Sequence, residues 1–182
     1  TGLIPFIIKH CYKYQHLHKI PTVLTIHNAQ YQGTMGWDRS FLLPPWDSWK
    51  WGMLDWKNNI NPLASGIKCA WKVTTVSMSY LDELRQSANG LEALFEYERG
   101  KCMGILNGID TEVWDPQKDT YLQEHFSVET VTEGKANSKR RLCETFDLDF
   151  NKPLIVFIGR LVGEKGADIL PAAISDSYYY IG

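Results

Sequence analysis

The sequence predicts an α/β fold, a Rossmann-like, doubly wound parallel sheet, on three observations. Short apolar or β-branched runs recur at residues 22–27, 72–76, 102–106 and 153–158, as strands of a buried parallel sheet require. Stretches with helical spacing of apolar residues separate them, the alternation that places helices on both faces of a parallel sheet. Runs 22–27, 102–106 and 153–158 each lead into a segment rich in Gly, Asn or charge. That is where ligands bind in such sheets, outside the carboxyl ends of the strands.

The elements follow in order. Residues 3–17 predict a helix, because Leu3, Ile7, Cys11 and Tyr14 recur at spacings of four and three. Pro21 closes it, and the first strand runs into a loop opened by Asn28 and Gly33. Residues 36–56 hold Trp37, Trp46, Trp49, Trp51 and Trp56 beside Pro44 and Pro45, too long and too aromatic for a passive connection. Large aromatics pack cores or stack on sugar faces, and both readings are open for this segment.

A helix begins at Pro62 and leads through Leu63, Ile67 and Ala70 to the second strand. Ser77 then suits an N-cap for a helix through Leu81, Leu84 and Arg85. The third strand ends at Asn107-Gly108. Polar sequence and a helix over 136–146 precede the strand at 153–158, which passes through Gly159-Arg160 and Gly163-Glu164-Lys165-Gly166 into a last apolar helix.

Composition narrows the function. The 182 residues carry a net charge of −2, with 44% hydrophobic and 22% charged residues, far from the regime of disorder. A chain of this length buries roughly 70% of its unfolded surface. There is no basic footprint for nucleic acid; the one basic run, Lys139-Arg140-Arg141, reads as a solvated helix face. No apolar run approaches the ~20 residues that cross a bilayer, and no secretion signal is visible. Cys11, Cys69, Cys102 and Cys143 are dispersed, without zinc or disulfide spacing, and read as reduced thiols of a cytoplasmic protein.

The strongest chemical signal is Gly159-Arg160-Leu161-Val162-Gly163-Glu164-Lys165-Gly166 between an apolar strand and a helix. Glycines admit close backbone approach, a helix N-terminus favours an anion, and Arg160 and Lys165 add positive charge, so the segment predicts a diphosphate cradle. It is neither a Walker A loop nor a dinucleotide G-x-G-x-x-G, and on spacing alone a solvated turn with incidental charges stays open. Alone, His27 suits either a hydrogen-bonded core histidine or a functional one, and Asn107-Gly108 suits a tight turn. Asp147-Leu148-Asp149 fits the D-x-D metal pattern but follows a helix rather than a strand, so it reads as capping, and no catalytic metal and no cofactor are expected.

Taken together, Thr25-Ile26-His27-Asn28 with Tyr31-Gln32-Gly33, then Val76-Ser77, then Leu106-Asn107-Gly108-Ile109-Asp110 with Trp114 and Pro116, then Gly159-Arg160-Leu161 with Lys165-Gly166, resemble bacterial glycogen synthases and plant starch synthases. The resemblance covers nearly the whole chain. It implies a two-domain, B-type-fold glucosyltransferase that moves glucose from ADP-glucose to the non-reducing end of an α-1,4-glucan with retention. By motif, His27 would sit at the glucosyl group and Asn107 and Gly108 at the donor. Tyr31 would face the acceptor. Arg160 and Lys165 would neutralise the diphosphate, with Gly159 and Gly166 letting the backbone close on it.

The glycine-rich K-x-G-G motif and the glutamate-containing donor motif of that family do not occur in these residues, and the chain opens on Thr1 rather than Met. The expectation is therefore a piece of a longer protein. Residues 1–110 would be the later half of a first, acceptor-side domain, and 111–182 the incomplete start of a nucleotide-sugar-binding domain. Two other readings remain: a catalytically silent module that binds glucan or itself, and a B-type transferase with another acceptor.

Overall fold

The computed structural model describes residues 2–181, and the side chains of all of these except Glu164, Tyr180 and Ile181; Thr1 and Gly182, at the ends of the predicted spans, lie outside the described residues. Two compact units form, Thr1–Ile109 and Asp110–Gly182.

The first unit is built on a parallel three-stranded sheet in the order β1 (Val23–Ile26), β4 (Lys72–Thr75), β5 (Cys102–Gly104). Central β4 is the most buried of the three, as its β-branched run predicts. Ile26 and Val73 share one core with α2 (Pro62–Cys69), α3 (Met78–Gln86) and α4 (Glu92–Tyr97), centred on Ile67, Leu81, Leu91 and Phe95. On the other face, Thr25 and Thr74 join by their hydroxyls at 2.9 Å, while Val23 and Met103 are exposed. The sheet is thus parallel as predicted, and the described helices that share its core are α2, α3 and α4.

Two helix starts follow local chemistry. Asn61 caps α2 by accepting from the Ala64 amide at 3.0 Å, ahead of Pro62 at a position that needs no N–H. Ser77 caps α3 by accepting from the Tyr80 amide at 2.9 Å, as expected.

The helix predicted over 3–17 is shorter. α1 covers Ile4–His10, then the chain turns extended at Cys11 and continues as a 3₁₀ segment, Tyr12–Leu17. The reason is tertiary. Cys11 bridges Trp46, the Tyr12 amide bonds the Pro45 carbonyl at 3.1 Å, and the Asp47 amide bonds the His10 carbonyl at 3.2 Å.

The tryptophan-rich segment forms two 3₁₀ stretches, Trp37–Leu42 and Ser48–Met53, then the hairpin β2 (Asp55–Trp56) and β3 (Asn59–Ile60). Lys57 and Asn58 at the hairpin's tip both have positive φ, the pairing that matches strand twist in a two-residue loop. Trp37 and Trp46 pack against a second core of Phe6, Cys11, Leu54, Ile60 and Cys69.

In the second unit, α5 (Val131–Thr145) buries Cys143 and lays Gly134 against the Phe126 ring. Phe150 then folds back under Lys139 and Arg140, whose charges sit 5.0 and 4.9 Å from its ring centre. Asp147 adopts positive φ just past α5, where the Leu148 amide closes the helix end on the Cys143 carbonyl at 2.8 Å, while the Asp149 carboxylate caps no helix and turns the chain by accepting from the Asn151 amide at 2.9 Å. The strand predicted at 153–158 does not form: the backbone carries no ladder, and Ile155 and Ile158 are 87% and 92% exposed. A strand needs a hydrogen-bonded neighbour, and every strand among the described residues lies in the first unit. α6 (Leu170–Ile181) ends the described chain.

Candidate functional site

Because the sheet is parallel, the segments that leave β1, β4 and β5 emerge at one edge. His27 follows β1 directly, Ser77 follows β4, and Asn107-Gly108 follow β5 after one more rung, the Ile105 amide on the Thr75 carbonyl at 2.8 Å. His27, Tyr31, Asn107 and Gly108 are all exposed there. β1 and β5 lie two ladder spacings apart, roughly 10 Å, close enough for one small ligand to meet both loops.

An open cleft of about 380 Å³ lies beside the first loop, lined by Thr25, His27, Asn28, Tyr31, Gly33 and Pro62, among others. The loop is held from several sides. Asn28 turns it by accepting from the Gln30 amide at 2.8 Å, and the Tyr80 hydroxyl on α3 accepts from the Ala29 amide at 3.0 Å. The Gln32 side-chain amide donates to the carbonyls of Ala88 and Asn89. Gly33 adopts φ +72° against the Pro62 ring, a conformation that side chains resist. His27 is therefore not a core histidine. It is an exposed imidazole at a strand end, on a loop whose backbone is fixed.

The tryptophans divide by role. Trp37 donates its indole N–H to Asp55 at 2.9 Å and Trp56 to the Gly90 carbonyl at 2.9 Å, while Lys68 sits 5.1 Å from the Trp56 ring centre. Trp49, at 89% exposure, and Trp51 present faces to solvent.

In the second unit, Gly159 and Arg160 follow the apolar run, and Gly163–Lys165 form a single 3₁₀ turn closed by Gly166 at φ +73°. The expected helix N-terminus is displaced, because α6 starts only at Leu170. The Lys165 amide bonds the Val162 carbonyl at 2.9 Å and the Gly166 amide the Gly163 carbonyl at 2.8 Å. Those N–H groups are engaged within the turn, so positive charge at this loop comes from the Arg160 and Lys165 side chains rather than from a helix dipole. Among the described residues, no cluster of His, Cys, Asp or Glu could hold a metal ion, and no helix is long and apolar enough to cross a membrane.

Sequence reasoning missed the supports of the site. Asn61 carried a readable signal, an Asn directly before a helix-opening Pro. Tyr80, 51 residues from the amide it holds, carried none.

Residues 1–97 match the family model described as the starch synthase catalytic domain. The chain belongs to that family. It is 54% identical over 173 residues to a glycogen synthase of Flavobacterium johnsoniae, covering 95% of this chain and 37% of that one. A glycogen synthase of Streptococcus uberis is 39% identical over 177 residues, covering 93% of this chain and 37% of the relative. Among solved structures, the catalytic domain of starch synthase IV from Arabidopsis thaliana, bound to ADP and acarbose, superposes with a TM-score of 0.80 at 28% identity, covering 98% of this chain and 38% of that one. The chain thus spans little more than a third of the length of the relatives it matches. The resemblance read from the motifs is the family found.

Proposed function

We propose that the protein containing this chain transfers glucose from ADP-glucose to the non-reducing end of an α-1,4-glucan, with retention of configuration, in the cytoplasm. The observation that carries the reading is the cleft beside His27, at the carboxyl edge of the sheet, in a chain whose fold matches a starch synthase solved with ADP and acarbose. Residues 1–110 supply the later half of an acceptor-side domain and 111–182 the beginning of a donor-side domain.

The roles follow the motif resemblance, and the chemistry supports them. As the bond to the anomeric carbon breaks, one unit of negative charge grows on the diphosphate oxygens, and cations that meet it there lower the barrier. Arg160 and Lys165 supply those cations, with Gly159 and Gly166 permitting close approach of the backbone. His27 meets the glucosyl group beside the reacting carbon, Asn107 and Gly108 contact the donor, and Tyr31 lies on the acceptor side.

The test is transfer of labelled glucose from ADP-glucose and from UDP-glucose to glycogen by the whole protein. Glycogen-dependent transfer from ADP-glucose supports the reading. Transfer from neither donor refutes it.

A further inference from the structure

Gln32 ties the His27 loop to two other parts of the first unit. Its Nε2 donates to the carbonyls of Ala88 at 3.3 Å and Asn89 at 3.2 Å, and its Oε1 accepts from Asn61 Nδ2 at 2.7 Å. Its own carbonyl accepts from the Leu63 amide at 3.2 Å. Asn61 is only 2% exposed, and its Oδ1 accepts from the Ala64 amide. Backbone groups dictate one end of each side-chain amide, two carbonyls at Gln32 Nε2 and one N–H at Asn61 Oδ1, and the other two ends meet each other, so neither can flip without leaving N–H groups or carbonyl oxygens opposed. The turn that offers the two carbonyls is itself braced, because the Glu92 carboxylate accepts from the Ala88 and Gly90 amides at 2.8 and 3.0 Å.

We propose that Gln32 is a positioning residue for glucosyl transfer: its side-chain amide sets the loop that carries His27 and Tyr31 by locking it to the α3–α4 turn and to the Asn61 cap of α2. This rests on the functional reading above. A loop displaced by an ångström loses catalysis more than it loses binding, because the reacting geometry is the more exacting.

Gln32→Met and Gln32→Glu in the whole protein test it. Met keeps the length and removes the polar atoms. At about pH 8 a carboxylate in place of the amide faces two carbonyl oxygens and repels them, whereas its protonated form, favoured as pH falls to about 5.5, again donates one hydrogen bond. Both variants are expected to lose at least about tenfold in kcat at about pH 8 with KM for ADP-glucose within about threefold. The kcat of Gln32→Glu relative to wild type at the same pH should rise as pH falls, which a merely structural loss would not produce. A Gln32→Met kcat within about twofold of wild type, or a flat ratio for Gln32→Glu, overturns the proposal. If Gln32→Met does not fold, the Gln32→Glu ratio decides. If the wild-type protein transfers no glucose, the functional reading fails separately. Hydrogen exchange on the whole protein then decides the positioning claim: faster exchange at Ala29 and Tyr31 in Gln32→Met with α5 unchanged supports it, and unchanged exchange overturns it.

Discussion

The hydroxyl of Tyr80 on α3 accepts the amide hydrogen of Ala29 at 3.0 Å, pinning the residue two places beyond His27 to a helix that begins after the neighbouring strand. Ala29 is buried, so its N–H has no access to water as an alternative partner.

Tyr80→Phe should therefore destabilise the chain by about 1–3 kcal/mol, the cost of a buried donor left unsatisfied. Urea unfolding measures it. Exchange at the Ala29 amide should quicken more than at the core amides of β4, and equal exchange in both proteins would mean that the loop is held by its other contacts alone.

Gly104→Ala should cost more. A Cβ at Gly104 would overlap the backbone of Ser77 and Met78, which cannot swing aside as a side chain could. The loss should reach or exceed the ~3 kcal/mol upper end of ordinary overpacking, read as a fall in the urea midpoint. A midpoint equal to wild type would contradict the close approach of β5 to the start of α3.

Much of the first unit was legible because local and tertiary preferences agree there. The β-branched runs at β1 and β4 became strands, and Ser77 became the cap that its position announced. The helix over 3–17 failed at Cys11, where pairing with Trp46 outweighed helical periodicity. The apolar run at 153–158 has the composition of a buried strand but no neighbour among the described residues, and composition cannot supply a ladder. Within the site, His27 was readable from a strand end and a motif. The contacts that hold its loop, from Tyr80 to Ala29 and from Ala88, Asn89 and Asn61 to Gln32, join residues far apart in sequence, and no local pattern announces those pairings.

The thiols should be inert in the folded chain. Burial raises Cys11 and Cys102 and pushes the Cys69 thiol up to about 11, so these cysteines stay protonated at neutral pH. An unfolded chain ionises Cys69 nearer 9, while the folded chain retains the proton. Stability is thus fully present below that value and declines as pH rises toward 11. Cys69→Ala should flatten the decline in urea unfolding, and alkylation should label Cys69 only after unfolding. Rapid labelling of the native chain at Cys69 would contradict its burial.

The 182-residue chain alone should transfer no glucose, and it should bind a dye that reports exposed apolar surface, because Ile155, Ile158 and Leu161 lie open in the second unit. Fluorescence titration and ADP release with and without glycogen check the two halves. Turnover by the isolated chain would show that these residues hold a complete site.

In the whole protein, Arg160→Ala and Lys165→Ala should each slow transfer by roughly 2–4 kcal/mol, in line with removal of one donor to a developing anion. Arg160→Lys should also be damaging, because a point charge cannot replace a planar fork against phosphate oxygens. Steady-state kcat/KM with ADP-glucose reads this. A loss under ~0.7 kcal/mol for both alanine variants would place the diphosphate elsewhere.

The most direct measurement is the steady-state kcat for transfer from ADP-glucose to glycogen by the whole protein carrying His27→Ala. The account predicts a loss on the order of 10²-fold or more in kcat, as for a group that acts on the reacting centre, with donor KM changed by no more than about threefold. Wild-type kcat in His27→Ala would contradict it and leave His27 a residue of the loop alone.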